Sequence, residues 1–256
     1  MTSAPATTSP GRPLAVATAA PHRDTVDVDI VLIPGLWLDG SCFDDVVVEL
    51  QALGHRATAL TLPGQGDGST TATLDDQLAT VLVAVDGVPG RPLLVGHAFA
   101  GSLAWMAADR RPRKVAGVIF LGDYPWSDGV SYAGYFEQTG SVMPFPGWDV
   151  WDSAQTADLD AGTRHRIEAA THPMPARVAR GVVQLYDEQR FDVPVTLVCL
   201  EMTPAMARSD IEGEEAPELE RARYLQLVDL DSGSWPMYSA PAQLGRIIAD
   251  VAKDRG

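Results

Sequence analysis

Residues 93–101, LLVGHAFAG, are the part of the chain that decides the fold. The apolar run 92–95 predicts a short buried strand, and residues 99–110 predict a helix. Between the two, Gly96 and Gly101 flank a turn in which backbone passes so close to backbone that a Cβ atom has no space. A strand that turns sharply into a helix is typical of a parallel α/β sheet.

Strands and helices alternate on both sides of this stretch. The predicted strands are residues 28–33, 56–62, 92–95, 115–121, 195–200 and 224–230. The predicted helices are residues 41–53, 73–85, 99–110 and 241–251, with a capping box proposed for Ser41 to Asp44. This spacing indicates the α/β class, with a mostly parallel, doubly wound sheet and right-handed crossovers.

The chain is predicted to contain an arm, one sheet domain and an insertion. Residues 1–27 consist largely of Ala, Thr, Ser and Pro, and we expect this arm to be disordered. The domain covers residues 28–253. Within it, residues 124–190 break the alternation with tryptophans and prolines, and we expect them to form a helical cap over the carboxyl edge of the sheet.

Composition and charge limit the kind of partner. The chain has 19 basic and 34 acidic residues, a net charge of −15, which argues against nucleic acid or an anionic membrane. No apolar stretch approaches the roughly 18 residues of a membrane span, so a cytoplasmic protein is expected. Two cysteines cannot frame a disulfide scaffold. A small molecule is the expected partner, and a homodimer is left open.

Three further loops follow predicted strands. They are residues 34–41 (PGLWLDGS), 62–66 (LPGQG) and 232–237 (SGSWPM). With residues 93–101 they stand in the order and at the spacing of the α/β-hydrolases, in which the strand-to-helix turn is the nucleophile elbow. The chain resembles that superfamily over residues 28–253. Within it, the branch of small esterases and hydroxynitrile-lyase-like proteins is the most similar.

Two residues of the expected catalytic triad are replaced. In that branch the elbow reads Gly-His-Ser-x-x-Gly and the last loop reads Gly-His-Trp-Pro, and the matching positions here are Ala98 and Ser234. Alanine has no nucleophilic atom, and serine cannot accept a proton near neutral pH as an imidazole can. None of the five histidines lies in or beyond the last predicted strand. Since loss of this serine and histidine costs about six decades of rate, an ordinary serine hydrolase is not expected.

The backbone donors of an oxyanion site do not depend on side chains. The resemblance implies that they are the N–H of Phe99 and one near Leu36 or Trp37. Such a pair can polarise a carbonyl group or hold an enolate without covalent attack. The alternative is that the pair is an idle relic of ancestry.

Three ionisable side chains are candidate catalytic groups. Asp123 ends the strand after the elbow helix, where functional residues gather in such sheets, and an apolar pocket would raise its pKa. Glu201 lies near the position that the resemblance gives to the triad acid. His172, in the predicted cap, could reach the pocket from above. The alternatives are a turn cap for Asp123 and a solvated strand-end charge for Glu201. We expect His97 to be structural, with its side chain turned away from the pocket.

Aromatic and polar residues could complete the binding site. Ser234 is expected in the space of the missing imidazole, where its hydroxyl can bond a ligand. Four large aromatic residues either line an apolar chamber or pack in the core: Trp37, Tyr124, Trp126 and Trp151. No metal motif, dinucleotide fingerprint or phosphate-binding loop is present in the sequence, so neither a metal nor a cofactor is implied.

Three functions stay open at this point. The expected one is a non-hydrolytic enzyme of the cyclase, lyase, isomerase or decarboxylase type. It would act on a small, largely apolar carbonyl-containing metabolite, as recruited folds often do in natural-product biosynthesis. The second is a catalytically inactive pseudo-hydrolase that binds a small ligand or a protein. The third is an esterase with engineered or residual activity.

Overall fold

A six-stranded parallel sheet forms the centre of the protein, whose computed structural model describes residues 28–255. The predicted arm, residues 1–27, lies outside the described residues. The strands of the sheet are β1 (Asp29–Ile33), β2 (Arg56–Ala59), β3 (Leu93–His97), β4 (Gly117–Leu121), β7 (Val195–Cys199) and β8 (Leu225–Asp229). The predicted α/β class with a mostly parallel sheet is confirmed.

The order of the strands positions the site. The sheet runs β2-β1-β3-β4-β7-β8, and every neighbouring pair is parallel. From β1 the chain first adds β2 on one side and then returns to place β3 on the other. The strand order therefore reverses between β1 and β3, and the loops that leave their carboxyl ends border a crevice. In parallel sheets that crevice is where ligands bind.

Helices cover both faces of the sheet because side chains alternate along each strand. Leu94 packs into one core, whereas Leu93 and Val95 pack into the other. The first core lies beneath α2 (Leu74–Gly87) and α3 (Ala100–Arg110), and the second lies beneath α1 (Asp44–Ala52) and α10 (Pro241–Lys253). The remaining helices are α4 (Ser153–Thr156), α5 (Ala161–Ala169), α6 (Ala176–Ala179), α7 (Pro204–Glu212), α8 (Pro217–Glu220) and α9 (Pro236–Ser239).

The start of α1 differs from the prediction. Residues Gly40–Phe43 form a 3-10 turn, and α1 begins only at Asp44. The carboxylate of Asp39 caps that turn by accepting a hydrogen bond of 2.9 Å from the backbone N–H of Ser41. The capping box predicted for Ser41 to Asp44 is therefore wrong, because the acceptor lies two residues earlier.

A long segment without a strand of the main sheet separates β4 from β7. It contains α4, α5 and α6 together with a small antiparallel pair, β5 (Val142–Met143) and β6 (Met174–Pro175). Phe136, Phe145 and Trp151 from this segment pack around Trp37, at ring-centroid distances of 5.0, 5.7 and 6.3 Å. The segment thus contacts the loop that follows β1, at the carboxyl edge of the sheet.

Within residues 28–255, no helix combines the length and the apolar character that a membrane crossing requires.

Candidate active site

The turn after β3 has the geometry that the glycines predict. Ala98 has a φ of 49°, in the left-handed region that L-residues other than glycine rarely adopt. A Cβ at Gly96 would lie 2.5 Å from the carbonyl oxygen of Ala100, and one at Gly101 would lie 2.9 Å from the Phe120 ring. Both glycines are therefore required. The bend holds Ala98 at the carboxyl end of the sheet in a strained conformation of the kind that gathers at functional sites.

Trp37, across the crevice at the end of β1, is also in the left-handed region, with a φ of 64°. Its backbone N–H and that of Phe99 donate no hydrogen bond to any residue in the described range 28–255. For an oxyanion site the family resemblance implies the N–H of Phe99 and one near Leu36 or Trp37. The N–H groups of Trp37 and Phe99 are thus available to an acceptor that the protein itself does not supply.

The insertion fixes the Trp37 loop at three points. The indole Nε1 of Trp37 donates to the carbonyl of Met143 at 3.1 Å. The backbone carbonyl of Trp37 accepts a hydrogen bond from the backbone N–H of His172 at 2.7 Å. The His172 ring also lies 2.9 Å from the carboxylate of Asp39. The conformation of Trp37 is therefore held from outside the loop.

A cavity lies over the turn after β3. The space between its walls amounts to about 600 Å³, a figure that includes open solvent at its mouth. Eight residues predicted for the site line it: Leu36, Trp37, Ala98, Phe99, Asp123, Trp151, Glu201 and Ser234. The structure also adds residues that the sequence analysis missed, among them Phe145, Gln155, Ile167, Thr171 and Trp235. Most of these come from the insertion, where no local pattern distinguishes a lining residue from a packing one.

Asp123 follows β4 and faces the cavity. The residue is solvent-exposed, yet the protein atoms around its carboxyl group displace part of its hydration. This loss of hydration, together with the negative charge of Glu201, raises the pKa of the Asp123 carboxyl to about 6. Within the described part of the chain, no side chain or backbone N–H donates to it. It is thus a carboxyl group that can both take and return a proton near neutral pH.

Glu201, after β7, accepts a hydrogen bond from the hydroxyl of Ser234, in the loop that follows β8. This contact lies at the edge of the cavity. It shows that position 234 lies within reach of the carboxylate that the resemblance places as the triad acid. A hydroxyl here can orient Glu201 or a ligand, but it is no base.

His97 lines the cavity, contrary to the expectation that its side chain turns away from it, although its ring is held by the protein as in a structural residue. Its ring Nε2 lies 2.7 Å from the carbonyl oxygen of Ser234. Burial lowers the pKa of its imidazole to about 4. The ring is therefore neutral at physiological pH, and its Nε2 hydrogen is already engaged.

Two predicted binding residues lie elsewhere than expected. Tyr124 and Trp126 line a second, adjoining cavity rather than the one over Ala98. The hydroxyl of Tyr124 donates to Asp210 at 2.8 Å, and burial with this contact raises its pKa well above the usual range. The Trp126 ring is held by a hydrogen bond from its Nε1 to the carbonyl oxygen of Tyr132 at 3.1 Å.

His172 does not reach the cavity, contrary to the expectation. Its side chain bonds Asp39, and its ring packs against Gly66, where an added Cβ would lie 3.1 Å from Nε2. The neighbouring Thr171 lines the cavity in its place. The structure therefore places Asp123 and Glu201 on the same cavity, whereas His172 contacts the loops that contain Asp39 and Gly66.

Among residues 28–255, no group of three or more His, Cys, Asp or Glu side chains is arranged to hold a metal ion.

Known proteins share this arrangement of sheet, turn and insertion. Residues 30–246 match the model of the alpha/beta hydrolase family. Over 98 residues the chain is 40% identical to the pyrethroid hydrolase of Sphingobium wenxiniae, a match that covers 36% of this chain and 35% of that protein. Esterase PIR7B of Oryza sativa subsp. japonica is 36% identical over 98 residues, covering 36% and 37%. The match spans little more than a third of the length of these curated relatives.

Solved structures extend the likeness to nearly the whole fold. An extracellular alpha/beta-hydrolase from a Paenibacillus species has a TM-score of 0.72 at 16% identity, covering 87% of this chain and 98% of that one. Tomato Methylketone Synthase I, complexed with 2-tridecanone, has a TM-score of 0.68 at 17% identity, covering 90% and 100%. A variant of that synthase has been solved with beta-ketoheptanoate. At these identities the likeness concerns the fold.

Proposed function

We propose that this chain, which belongs to the alpha/beta hydrolase family, is a non-hydrolytic enzyme that moves a proton on a small, largely apolar carbonyl compound. Asp123 is the general acid and base, and the N–H groups of Trp37 and Phe99 hold the carbonyl oxygen. The observation that carries the proposal is Asp123 itself: a carboxyl group without a hydrogen-bond donor among the described residues, open to the cavity beside the bend at Ala98.

The proposed step balances without a further reactant. The Asp123 carboxylate takes a proton from the carbon next to the carbonyl group, and the electron pair moves to the carbonyl oxygen as an enolate. The two N–H groups stabilise the charge that develops there. Where the enolate is conjugated with a further double bond, Asp123 returns the proton to the far end of the conjugated system and completes an isomerisation. Where the β carbon carries a leaving group, the electron pair expels that group, which takes the proton from Asp123, and an elimination is complete.

Hydrolysis is the second candidate, because the curated relatives are named as hydrolases and esterases. Against it stand the residues of the cavity. Ala98 offers no nucleophile, Ser234 replaces the expected base, and the buried His97 uses its Nε2 to bond a backbone carbonyl. We therefore place hydrolysis behind proton transfer for this chain.

The solved neighbour supports a carbonyl ligand. Tomato Methylketone Synthase I holds a ketone, 2-tridecanone, in a fold that this chain shares. That complex supports the view that an alpha/beta-hydrolase scaffold can take a ketone rather than an ester. Which ketone this chain uses is a matter for the experiment.

Deuterium exchange tests the proposal directly. The protein is incubated in D2O with acetophenone, cyclohexanone and 2-heptanone, and replacement of hydrogen next to the carbonyl group is followed by proton NMR. We expect catalysed exchange with at least one ketone and its loss in Asp123→Asn. Asp75→Asn, an exposed carboxylate on α2, is the matched control. No exchange above the buffer rate with any of these ketones would favour a protein that only binds its ligand.

A further inference from the structure

The cavity over Ala98 borders the adjoining cavity that Tyr124 and Trp126 line. The two share four lining residues: Phe99, Asp123, Trp151 and Gln155. The space between the walls of the second cavity amounts to about 890 Å³, a figure that includes open solvent at its mouth. Asp123 thus borders both spaces, so a ligand that touches it is placed beside the walls of both.

Aromatic rings form the walls of the second cavity. Phe99 contacts Trp126 at 6.3 Å and Tyr135 at 5.9 Å between ring centroids, and Tyr135 lies 4.6 Å from Phe136. Tyr135 is 67% exposed. Flat rings with a free face favour a ligand part that is itself flat and unsaturated, because offset and edge contacts between rings stabilise such a pair.

The charged side chains that line the two cavities are all acidic. Of the described residues that line them, none is a lysine or an arginine, whereas Asp123, Glu201 and Glu215 are acidic. The one histidine, His97, is neutral because burial lowers its pKa to about 4. A ligand carboxylate placed here would lose its hydration and meet repulsion from these carboxylates without a compensating cation.

We propose that the two adjoining cavities together bind an uncharged substrate, with its reacting carbonyl in the first cavity and a flat, aromatic or conjugated ring portion in the second. The position given to the carbonyl rests on the proposed function. The ring position and the exclusion of anions rest on the walls and charges alone.

Three probes separate these features. Acetophenone is the probe for the first cavity, 2-acetylnaphthalene adds a second ring, and 6-acetyl-2-naphthoic acid adds a carboxylate to that second ring. Isothermal titration calorimetry gives each Kd. We expect 2-acetylnaphthalene to bind about tenfold more tightly than acetophenone, since the second ring buries further apolar surface. We expect the acid to bind at least about tenfold more weakly than 2-acetylnaphthalene.

Two variants localise the effect. Trp126→Ala removes a wall of the second cavity and should weaken 2-acetylnaphthalene about fivefold to tenfold while leaving acetophenone unchanged. Tyr224→Ala, an aromatic residue that is 61% exposed and outside both linings, is the control. Glu215→Arg supplies a cation and should restore binding of the acid, whereas the exposed Glu220→Arg on α8 should not.

The outcomes separate this inference from the function on which it rests. Equal Kd values for the three probes, or a Glu215→Arg variant that still rejects the acid, would overturn the ring position and the exclusion of anions. Ring-dependent binding in a protein that catalyses no deuterium exchange would instead leave the binding inference standing and remove the proposed function.

Discussion

The imidazole Nε2 of His97 lies 2.7 Å from the backbone carbonyl oxygen of Ser234. Because a carbonyl oxygen can only accept, Nε2 carries the hydrogen of this bond. The contact ties the turn after β3 to the loop after β8, and so it keeps positions 98 and 234 on one cavity. Ala98 and Ser234 thus line the same cavity, although their side chains cannot act as nucleophile and base.

The same histidine makes stability depend on pH. Burial lowers the pKa of His97 to about 4 from an ordinary value of 6.5, so the unfolded chain binds this proton first as the pH falls. The contribution of His97 is complete above pH 6.5 and is lost as the pH falls from there to about 4. The expected loss is about 3 kcal/mol. Urea unfolding at several pH values measures it.

The matched variants for this prediction are His97→Gln and His165→Gln. The first should flatten the dependence of unfolding free energy on pH between 4 and 6.5, whereas the second changes an exposed histidine and should leave it intact. Asp123 changes the unfolding free energy with pH in the opposite direction to His97. Because both variants keep Asp123, its contribution cancels when their slopes are compared. An unaltered slope in His97→Gln would show that the ring is not buried in its neutral form.

Asp123→Asn should reduce ketone exchange at least about 100-fold, the lower range for loss of a general acid or base. In the unaltered protein kcat/KM should rise with pH and reach half its maximum near pH 6, since the carboxylate is the reactive form. Glu201→Gln removes a neighbouring negative charge, so it should move that midpoint to lower pH. A midpoint unchanged in Glu201→Gln would contradict the coupling of the two carboxyls.

Asp123→Asn should also stabilise the protein above pH 6. The folded carboxyl has a pKa near 6, above its ordinary 3.8, so the folded state binds more protons between these values. Stability from this group is therefore present below pH 3.8 and lost as the pH rises through 6. Allowing for solvent in the cavity, we expect a gain of about 1 kcal/mol at pH 8, a melting temperature about 2–4 °C higher, and little change at pH 4.

Restoring the missing triad tests how far the scaffold still fits hydrolysis. Ala98→Ser together with Ser234→His places a hydroxyl at the bend and an imidazole next to Glu201, which already contacts position 234. We expect the double variant to hydrolyse 4-nitrophenyl acetate at least about tenfold faster than either single variant, because nucleophile and base act as a unit. Additive single effects would show that the two positions do not face each other.

The bend itself can be tested with one methyl group. Gly96→Ala places a Cβ 2.5 Å from the Ala100 carbonyl oxygen and should lower the unfolding free energy by about 2 kcal/mol or more. Gly90→Ala is the control, because a Cβ there meets no atom within 4 Å, and its effect should stay within about 0.5 kcal/mol. Similar changes in unfolding free energy for Gly96→Ala and Gly90→Ala would mean that the turn after β3 can widen to accept a Cβ atom.

Much of the fold follows from local sequence, because buried strands and capped helices carry their own signals. The run before Gly96 and the helix after Thr73 are examples, and the reciprocal bonds of Thr73 and Asp76 do cap that helix. The strand ends were less well predicted. β2 stops at Ala59 rather than Leu62, since it pairs with β1 alone and the last pair joins Ala59 to Leu32.

The positions of site residues that follow strands of the sheet could be predicted from the sequence. The positions of site residues in the insertion could not. Asp123 and Glu201 follow strands, so their meeting at one edge follows from parallel pairing. His172, Tyr124 and Trp126 depend on how the insertion folds back, which no period in the sequence encodes. Their actual positions are set by distant partners such as Asp39 and Asp210.

The anchoring of Trp37 limits how a ligand can enter. Met143 in β5 accepts a hydrogen bond from the indole of Trp37, and the backbone N–H of His172 donates to the carbonyl of Trp37. If the β5–β6 pair lifted as one rigid lid, it would therefore pull the Trp37 N–H away from the Phe99 N–H. The motion that admits the ligand would then disrupt the donors that bind it. A side entrance past the exposed Tyr135 ring avoids that conflict, because rotation of one side chain leaves the tether intact. Association rates should therefore respond to the bulk of residue 135 and hardly to the stiffness of the lid.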